Sequence, residues 1–182
     1  MLEGQVDYNG RLGVTWATPL LRDAIVGAID VRQKLAPTLT LGASLPIAQL
    51  YRVGLEMALA TSGYRGDGTG ISTNLGTVRT GSLTLGLHGP IGAGFQWRAG
   101  AGMLRYWPAE EQGIFMSGGT TRFLAGAGVD YRRPILPKWE MMVSLRYDFH
   151  RFTTDELRAR GFSQSQGIQR IAATIGLARG RR

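Results

Sequence analysis

The sequence predicts an all-β chain, folded as an antiparallel, up-and-down transmembrane β-barrel of about eight strands, with ten as the alternative. Three observations predict it. Large apolar and polar side chains alternate with a period of two, the signature of strands whose two faces meet different surroundings. The polar face carries ionised groups while the other carries Trp, Met, Leu and Phe, which suits a lipid-facing exterior and a polar interior and is the reverse of a soluble barrel. Short Pro-Ile turns also alternate with long polar loops along the chain, an asymmetry of membrane barrels.

Nine segments carry the pattern. In Gln5–Ala17, Val6, Tyr8, Leu12, Val14 and Trp16 share one face. From Ala24 onward the outward parity is odd. Ala24–Leu35 sets Ile25, Ile29 and Val31 against Asp30, Arg32 and Lys34, and Thr38–Leu45 sets Leu39, Leu41 and Leu45 against Thr40 and Ser44. Leu50–Ser62 sets Tyr51, Val53, Leu55, Met57 and Leu59 against Arg52 and Glu56. Val78–His88 sets Leu83, Leu85 and Leu87 against Thr80, Ser82, Thr84 and His88. Gly94–Trp107 shows Phe95, Trp97 and Met103 outward, and Thr121–Arg133 shows Phe123, Val129 and Tyr131. Lys138–Phe152 is the clearest, with Trp139, Met141, Val143, Leu145, Tyr147 and Phe149 against Glu140, Ser144, Arg146, Asp148 and His150. Ile168–Ala178 sets Ile171, Ile175 and Leu177 against Arg170 and Thr174.

Turns are expected at Pro46-Ile47, Pro90-Ile91 and Pro134-Ile135, with a looser version at Pro19-Leu20. Proline cannot donate to a ladder and belongs at such places. Longer loops are expected over Tyr64–Gly76, Pro108–Thr120 and Thr153–Gln166. Aromatics sit at both ends of strands: Trp97 and Trp107 are ten residues apart, Trp139 and Tyr147 eight. At ~3.3 Å per residue and a tilt of ~40°, these spacings span roughly 20–25 Å, the height of the apolar band between two aromatic girdles. Sandwich-core aromatics are the plainer alternative. An odd count of nine is resolved if the second and third segments form one strand with a proline bulge, giving eight. A strand preceding Met1 would give ten.

The length of 182 residues fits one domain, 1–182. The 27 glycines are unfavourable for helices and mark bends or close backbone approach in strands. Without cysteine, disulfides and thiolate metal sites are excluded. No apolar run is long enough for a transmembrane helix, which says nothing against a barrel. Met1-Leu2-Glu3-Gly4-Gln5 has neither the basic nor the apolar region of a signal peptide, so a leader is expected to have been removed or to lie upstream.

Candidate chemistry is sparse. His88 and His150 both fall on the inward face, and no metal-ligand spacing accompanies them. A triad of His150, Asp155 and Ser163 or Ser165 has no supporting spacing or nucleophile elbow. Glycine patterns such as Gly63–Gly70 lack the phosphate-loop pattern. No catalytic residue, cofactor or metal is expected. The inward charges are Arg52, Glu56, Arg98, Arg122, Asp130, Arg132, Glu140, Arg146, Asp148 and Arg170, with Asp30, Arg32 and Lys34 earlier. Mixed signs point to a paired network, since unpaired buried charges cost several kcal/mol. Eight strands leave room for side chains but not an open pore. The network is therefore expected to be a structural plug, or else to line a narrow, porin-like passage.

The alternating strands, the Pro-Ile turns and the run Leu145-Arg146-Tyr147-Asp148-Phe149 resemble the small outer-membrane β-barrel proteins of Gram-negative bacteria, OmpA/OmpW-like in architecture. The likeness is architectural and spans nearly the whole chain. It implies location in the bacterial outer membrane, insertion by the barrel-assembly machinery, and long loops outside. Last strands in such families commonly end in an aromatic; Leu177-Ala178-Arg179-Gly180-Arg181-Arg182 departs from that.

Against that background the net charge of +8 is informative by position. Arg79, Arg105 and Arg151 have the outward parity and sit where strands meet long loops. They are candidate contacts for lipopolysaccharide phosphate through charge-assisted hydrogen bonds; simple snorkelling to water is the alternative. The expected function is a non-enzymatic integral barrel with a structural, surface-interaction or small-solute role. A soluble β-barrel or sandwich binding a ligand or nucleic acid is the alternative, though basic patches interleaved with exposed aromatics are lacking. A lipid-modifying outer-membrane enzyme is a further one.

Overall fold

A computed structural model describes residues 6–23, 29–68, 71–110, 115, 118–159 and 165–179. The chain forms β1 (Asp7–Ala17), β2 (Leu21–Asp23), β3 (Ile29–Gln33), β4 (Ala36–Pro46), β5 (Arg52–Gly68), β6 (Ile71–Gly92), β7 (Phe95–Pro108), β8 (Thr120–Leu136), β9 (Trp139–Phe152), a short helix α1 (Asp155–Ala159) and β10 (Gln166–Arg179). All pairings are antiparallel. Going round, β1 pairs with β4, β4 with β5, and so on in order to β9–β10, and β10 returns to β1 through Asn9↔Ala178 to Ala17↔Arg170. The result is a closed barrel of eight strands, which removes free edges.

The ten strands reduce to eight around the wall. β3 and β4 both run along β5, with Ile29↔Gly68 to Gln33↔Tyr64 followed by Thr38↔Ala60 to Pro46↔Arg52. They are one strand interrupted by a bulge. β2 continues β1 and pairs back on β3. The tips of β2, β3, β5 and β6 thus raise one side of the wall above the rest. The segment Tyr64–Gly76, expected as a loop, is mostly paired strand: Arg65↔Asn74 to Gly68↔Ile71 extend the β5–β6 ladder. Its polar composition does not oppose pairing, because above the membrane both sheet faces meet water.

The bulge also reverses parity. Lys34 and Leu35 both face outward, so Val31 and Gln33 before them are buried. The expectation that odd positions face out before Pro37 fails there, because one inserted residue exchanges the two faces of a strand. Asp30, Arg32 and Lys34 are accordingly not a lumen group. Arg32 is exposed and pairs with Asp30 at 2.7 Å, and Lys34 is exposed. Ile25 lies outside the described residues.

The turn at Pro46-Ile47 joins β4 to β5, whereas Pro90-Ile91 and Pro134-Ile135 are still within β6 and β8, whose turns come slightly later, at Ala93-Gly94 and Pro137-Lys138; all three turns lie at one end of the barrel. The turn after Pro90 runs through Gly92 and Gly94 at positive φ of 127° and 85°. A side chain at Gly94 would meet the Arg132 carbonyl oxygen at 2.7 Å. Pro19-Leu20 is not a fourth such turn. It falls between β1 and β2 at the opposite end, with Leu20 fully buried.

On the exterior, Leu12, Leu41, Leu55, Leu85, Met103, Leu145 and Ile175 stand exposed in a continuous apolar belt. Trp16, Trp107, Phe123 and Phe149 edge it near the loops, and Tyr8, Tyr51, Phe95 and Trp139 near the turns. The soluble alternative required this face to be a core. Instead it is the outside, while Arg11, Asp130 and His150 are buried inside. Among the described residues no helix is long and apolar enough to cross a membrane; the chain crosses with strands.

Candidate functional site

The lumen is built by the inward parity of eight strands. On β6 to β8 that face is vacated by Gly86, Gly100, Gly102, Gly126 and Gly128. Long charged side chains fill the space. At mid-barrel Glu56 of β5 accepts hydrogen bonds from Arg11 of β1, Arg98 of β7 and Arg146 of β9. Arg146 also reaches Asp148 at 2.6 Å, and Asp130 lies 3.7 Å from Arg11 and 3.6 Å from Arg98. Nearer the turns, Arg132 pairs with Asp7 at 2.6 Å and Glu140 at 3.6 Å, while Arg52 donates to Ser44 Oγ and its carbonyl oxygen. The bonds from Glu56 to Arg11, Arg98 and Arg146 and from Asp7 to Arg132 tie strands that no ladder joins, and charge-assisted hydrogen bonds are the strong ones.

The structure thus brings Glu56, Arg98, Asp130, Arg146 and Asp148 into one cluster and Arg132 and Glu140 into a second. Arg122 and Arg170 stand apart towards the loops: Arg122 donates to the Thr153 carbonyl oxygen and Arg170 to Thr80 Oγ1 at 3.4 Å. Sequence reasoning omitted Arg11 and Asp7. The signal was present, because Asp7, Asn9, Arg11 and Thr15 have the inward parity of β1.

A second seal lies above the charges. Ala17, Leu20, Val31, Tyr64, Val78, Leu104, Tyr106, Leu124, Phe152 and Ile168 form an apolar cluster inside the loop end. Phe115 and Leu157 enter it from the two longest loops. Phe115 stacks on Tyr106 and meets Phe152 edge-on, at centroid distances of 6.0 and 5.9 Å. Thr154 caps α1 through Oγ1 to the Leu157 amide, which aims Leu157 inward. Tyr106 Oη and His150 Nε2 share a hydrogen bond of 2.7 Å. This cap was not foreseen. It uses the parity expected to be polar, and its members Tyr106 and Phe152 lie at the loop end of their strands, where inward apolar groups pack on the loop residue Phe115.

Spaces of 20 and 30 Å3 flank the charged cluster in the lumen, each lined in part by Glu56, Arg98 and Arg146. Such volumes hold about a water molecule or two. The conjectured triad is not assembled: His150 is buried against Tyr106, Asp155 is exposed and 3.7 Å from Arg158, Ser165 is exposed, and Ser163 lies outside the described residues. No group of metal-ligating side chains occurs among the described residues.

Outside, Arg79, Arg105 and Arg151 are all exposed at the loop edge of the belt. Arg79 and Arg105 are diagonal neighbours on β6 and β7, given Arg79↔Trp107 and Gly81↔Arg105. The Arg105 guanidinium lies 5.7 Å from the Trp107 ring centroid. Arg151, on β9, is separated from them by β8.

A closed eight-stranded wall, a lipid-facing belt and an ionised interior define a transmembrane β-barrel of the small outer-membrane class, OmpA/OmpW-like in architecture. The solved structures agree on the fold. Neisserial surface protein A aligns with a TM-score of 0.58 at 8% identity, covering 97% of each chain. OprG from Pseudomonas aeruginosa gives 0.55 at 14% identity, over 95% of this chain and 94% of that one. Ail, the attachment invasion locus protein of Yersinia pestis, solved with the heparin analogue sucrose octasulfate, gives 0.52 at 13% identity over 96% and 98%. No protein-family model matches the chain. No curated protein matches it in sequence. The belt and the fold together place the barrel in a bacterial outer membrane.

Proposed function

We propose that this protein is a non-enzymatic, non-conducting barrel that acts through its outer surface and loops, with the lumen serving as a structural brace. One observation carries the reading: the lumen is blocked twice, by Glu56 clamped among Arg11, Arg98 and Arg146, and by the apolar cap around Tyr106, Phe115 and Phe152. Passage of small solutes would require both seals to move. Planar bilayers containing the refolded protein test this. Silent bilayers are expected; steady unitary conductance from the unaltered chain would overturn it.

On the surface, Arg79, Arg105 and Arg151 bind lipopolysaccharide phosphates at the outer rim. Their exposure at the edge of the belt supports this, since arginine there costs nearly nothing and faces the headgroups. Insertion by the barrel-assembly machinery belongs to the same reading. Replacing all three arginines with Gln is expected to lower the lipopolysaccharide retained through purification; unchanged retention would remove the idea.

A further inference from the structure

The outer wall is not evenly filled. Trp107 leans over Gly81, where a Cβ would stand 2.6 Å from the indole ring and 3.2 Å from Leu59 Cδ2. Pro37 and Thr61 are small outward side chains beside it. A groove of 660 Å3 opens here, between Leu12, Leu39 and Leu59 on one side and Arg79 and Trp107 on the other. That volume falls within the ~300–1,000 Å3 of ordinary ligand sites. Its apolar walls belong to β1, β4, β5 and β7, so it crosses the strands near the top of the belt.

Cations gather over its upper end. Arg79 lines the groove, Arg105 is its diagonal neighbour, and the Lys34 stem runs past Gly63, 3.4 Å from where a Cβ would be. Among the described residues no ion pair engages any of the three. The combination is an apolar slot below and unneutralised positive charge above. It complements an anionic amphiphile held with its chain parallel to the wall.

We propose that this groove is a defined site for one phosphorylated, acylated glycolipid of the outer leaflet. An acyl chain lies along Leu12, Leu39, Leu59 and Trp107, and a phosphate is held by Arg79, Arg105 and Lys34. The proposal rests on the reading that the rim arginines meet glycolipid phosphate, and sharpens it: Arg151, on β9, does not line this groove and is not part of this site.

The test is native mass spectrometry of the full chain in detergent, loaded with lipid A bearing its phosphates or with the same lipid dephosphorylated. Heat-dependent gel migration checks that each variant is folded. One phosphorylated lipid A is expected to stay bound, with the dephosphorylated form retained poorly. Arg79→Gln should weaken retention by about tenfold, as expected for losing a charge-assisted contact. Thr61→Trp, or Leu39→Trp if that variant does not fold, should fill the slot and weaken it as much, while Arg151→Gln, at the rim outside the groove, should cost clearly less than Arg79→Gln. Equal losses from Arg79→Gln and Arg151→Gln, with no effect of the tryptophan, overturn the groove and keep the rim. No loss even in the triple arginine variant overturns both.

Discussion

The Asp148 carboxylate fills the space that a side chain at Gly126 would need: a Cβ there would stand 2.0 Å from Oδ1 and 2.5 Å from the Tyr147 carbonyl oxygen. Gly126→Ala must therefore push Asp148 off Arg146 or bend the β8–β9 ladder. Overpacking of this kind costs ~1–3 kcal/mol. A lower urea midpoint for the refolded barrel is expected, with the slope unchanged.

Glu56 is the anion on which three arginines converge. Glu56→Gln keeps the shape and removes the charge, leaving Arg11, Arg98 and Arg146 to repel one another in a buried space. Breaking a buried ionic cluster from one side costs ~3–5 kcal/mol. Urea unfolding in detergent should show a larger destabilisation than Gly126→Ala produces.

The two seals act in series. Phe152→Ala removes a fully buried ring from the cap and should cost ~3–5 kcal/mol, yet leave bilayers silent, because the Glu56 cluster still closes the lumen. Combining it with Glu56→Ala and Arg146→Ala should produce conductance. Current from Phe152→Ala alone would show that the charged layer is not a barrier.

Depth in the belt sets the tolerance for outward charge. Leu85 is exposed in the middle of β6, whereas Arg79 stands at its loop edge. Leu85→Arg should destabilise the barrel by ~2–4 kcal/mol, while Thr61→Arg, level with Arg79, costs under ~1 kcal/mol. Folding yields into lipid vesicles compare the two directly.

The outward face was legible because lipid imposes one chemistry on every second residue, so Leu83, Leu85 and Leu87 or Val143, Leu145 and Tyr147 announce themselves. Most inward charges were legible by the same parity, but Arg11 and Asp7 were missed and Asp30, Arg32 and Lys34 were wrongly counted among them. The partners of the inward charges were not legible, since a cross-barrel contact such as Arg146 to Glu56 joins strands distant in sequence and depends on barrel diameter. The cap was hidden for a different reason. Tyr64, Tyr106 and Phe152 break the expected polarity of the interior, and the loop residues Phe115 and Leu157 that cover them carry no periodicity. The bulge at Lys34-Leu35 was misplaced because Pro37 is the more conspicuous breaker, and Ile29 and Val31 happen to continue the apolar alternation in the wrong frame.

That bulge divides the β3–β4 strand into two reading frames. Below it, each substitution is judged by lipid on one side and by the charged brace on the other. Above it, the tall wall of β2, β3, β5 and β6 answers only to water and to the few rings it covers. Sequence drift in the protruding part therefore leaves the membrane-seated code intact, and the same anchored cylinder supports many different crowns.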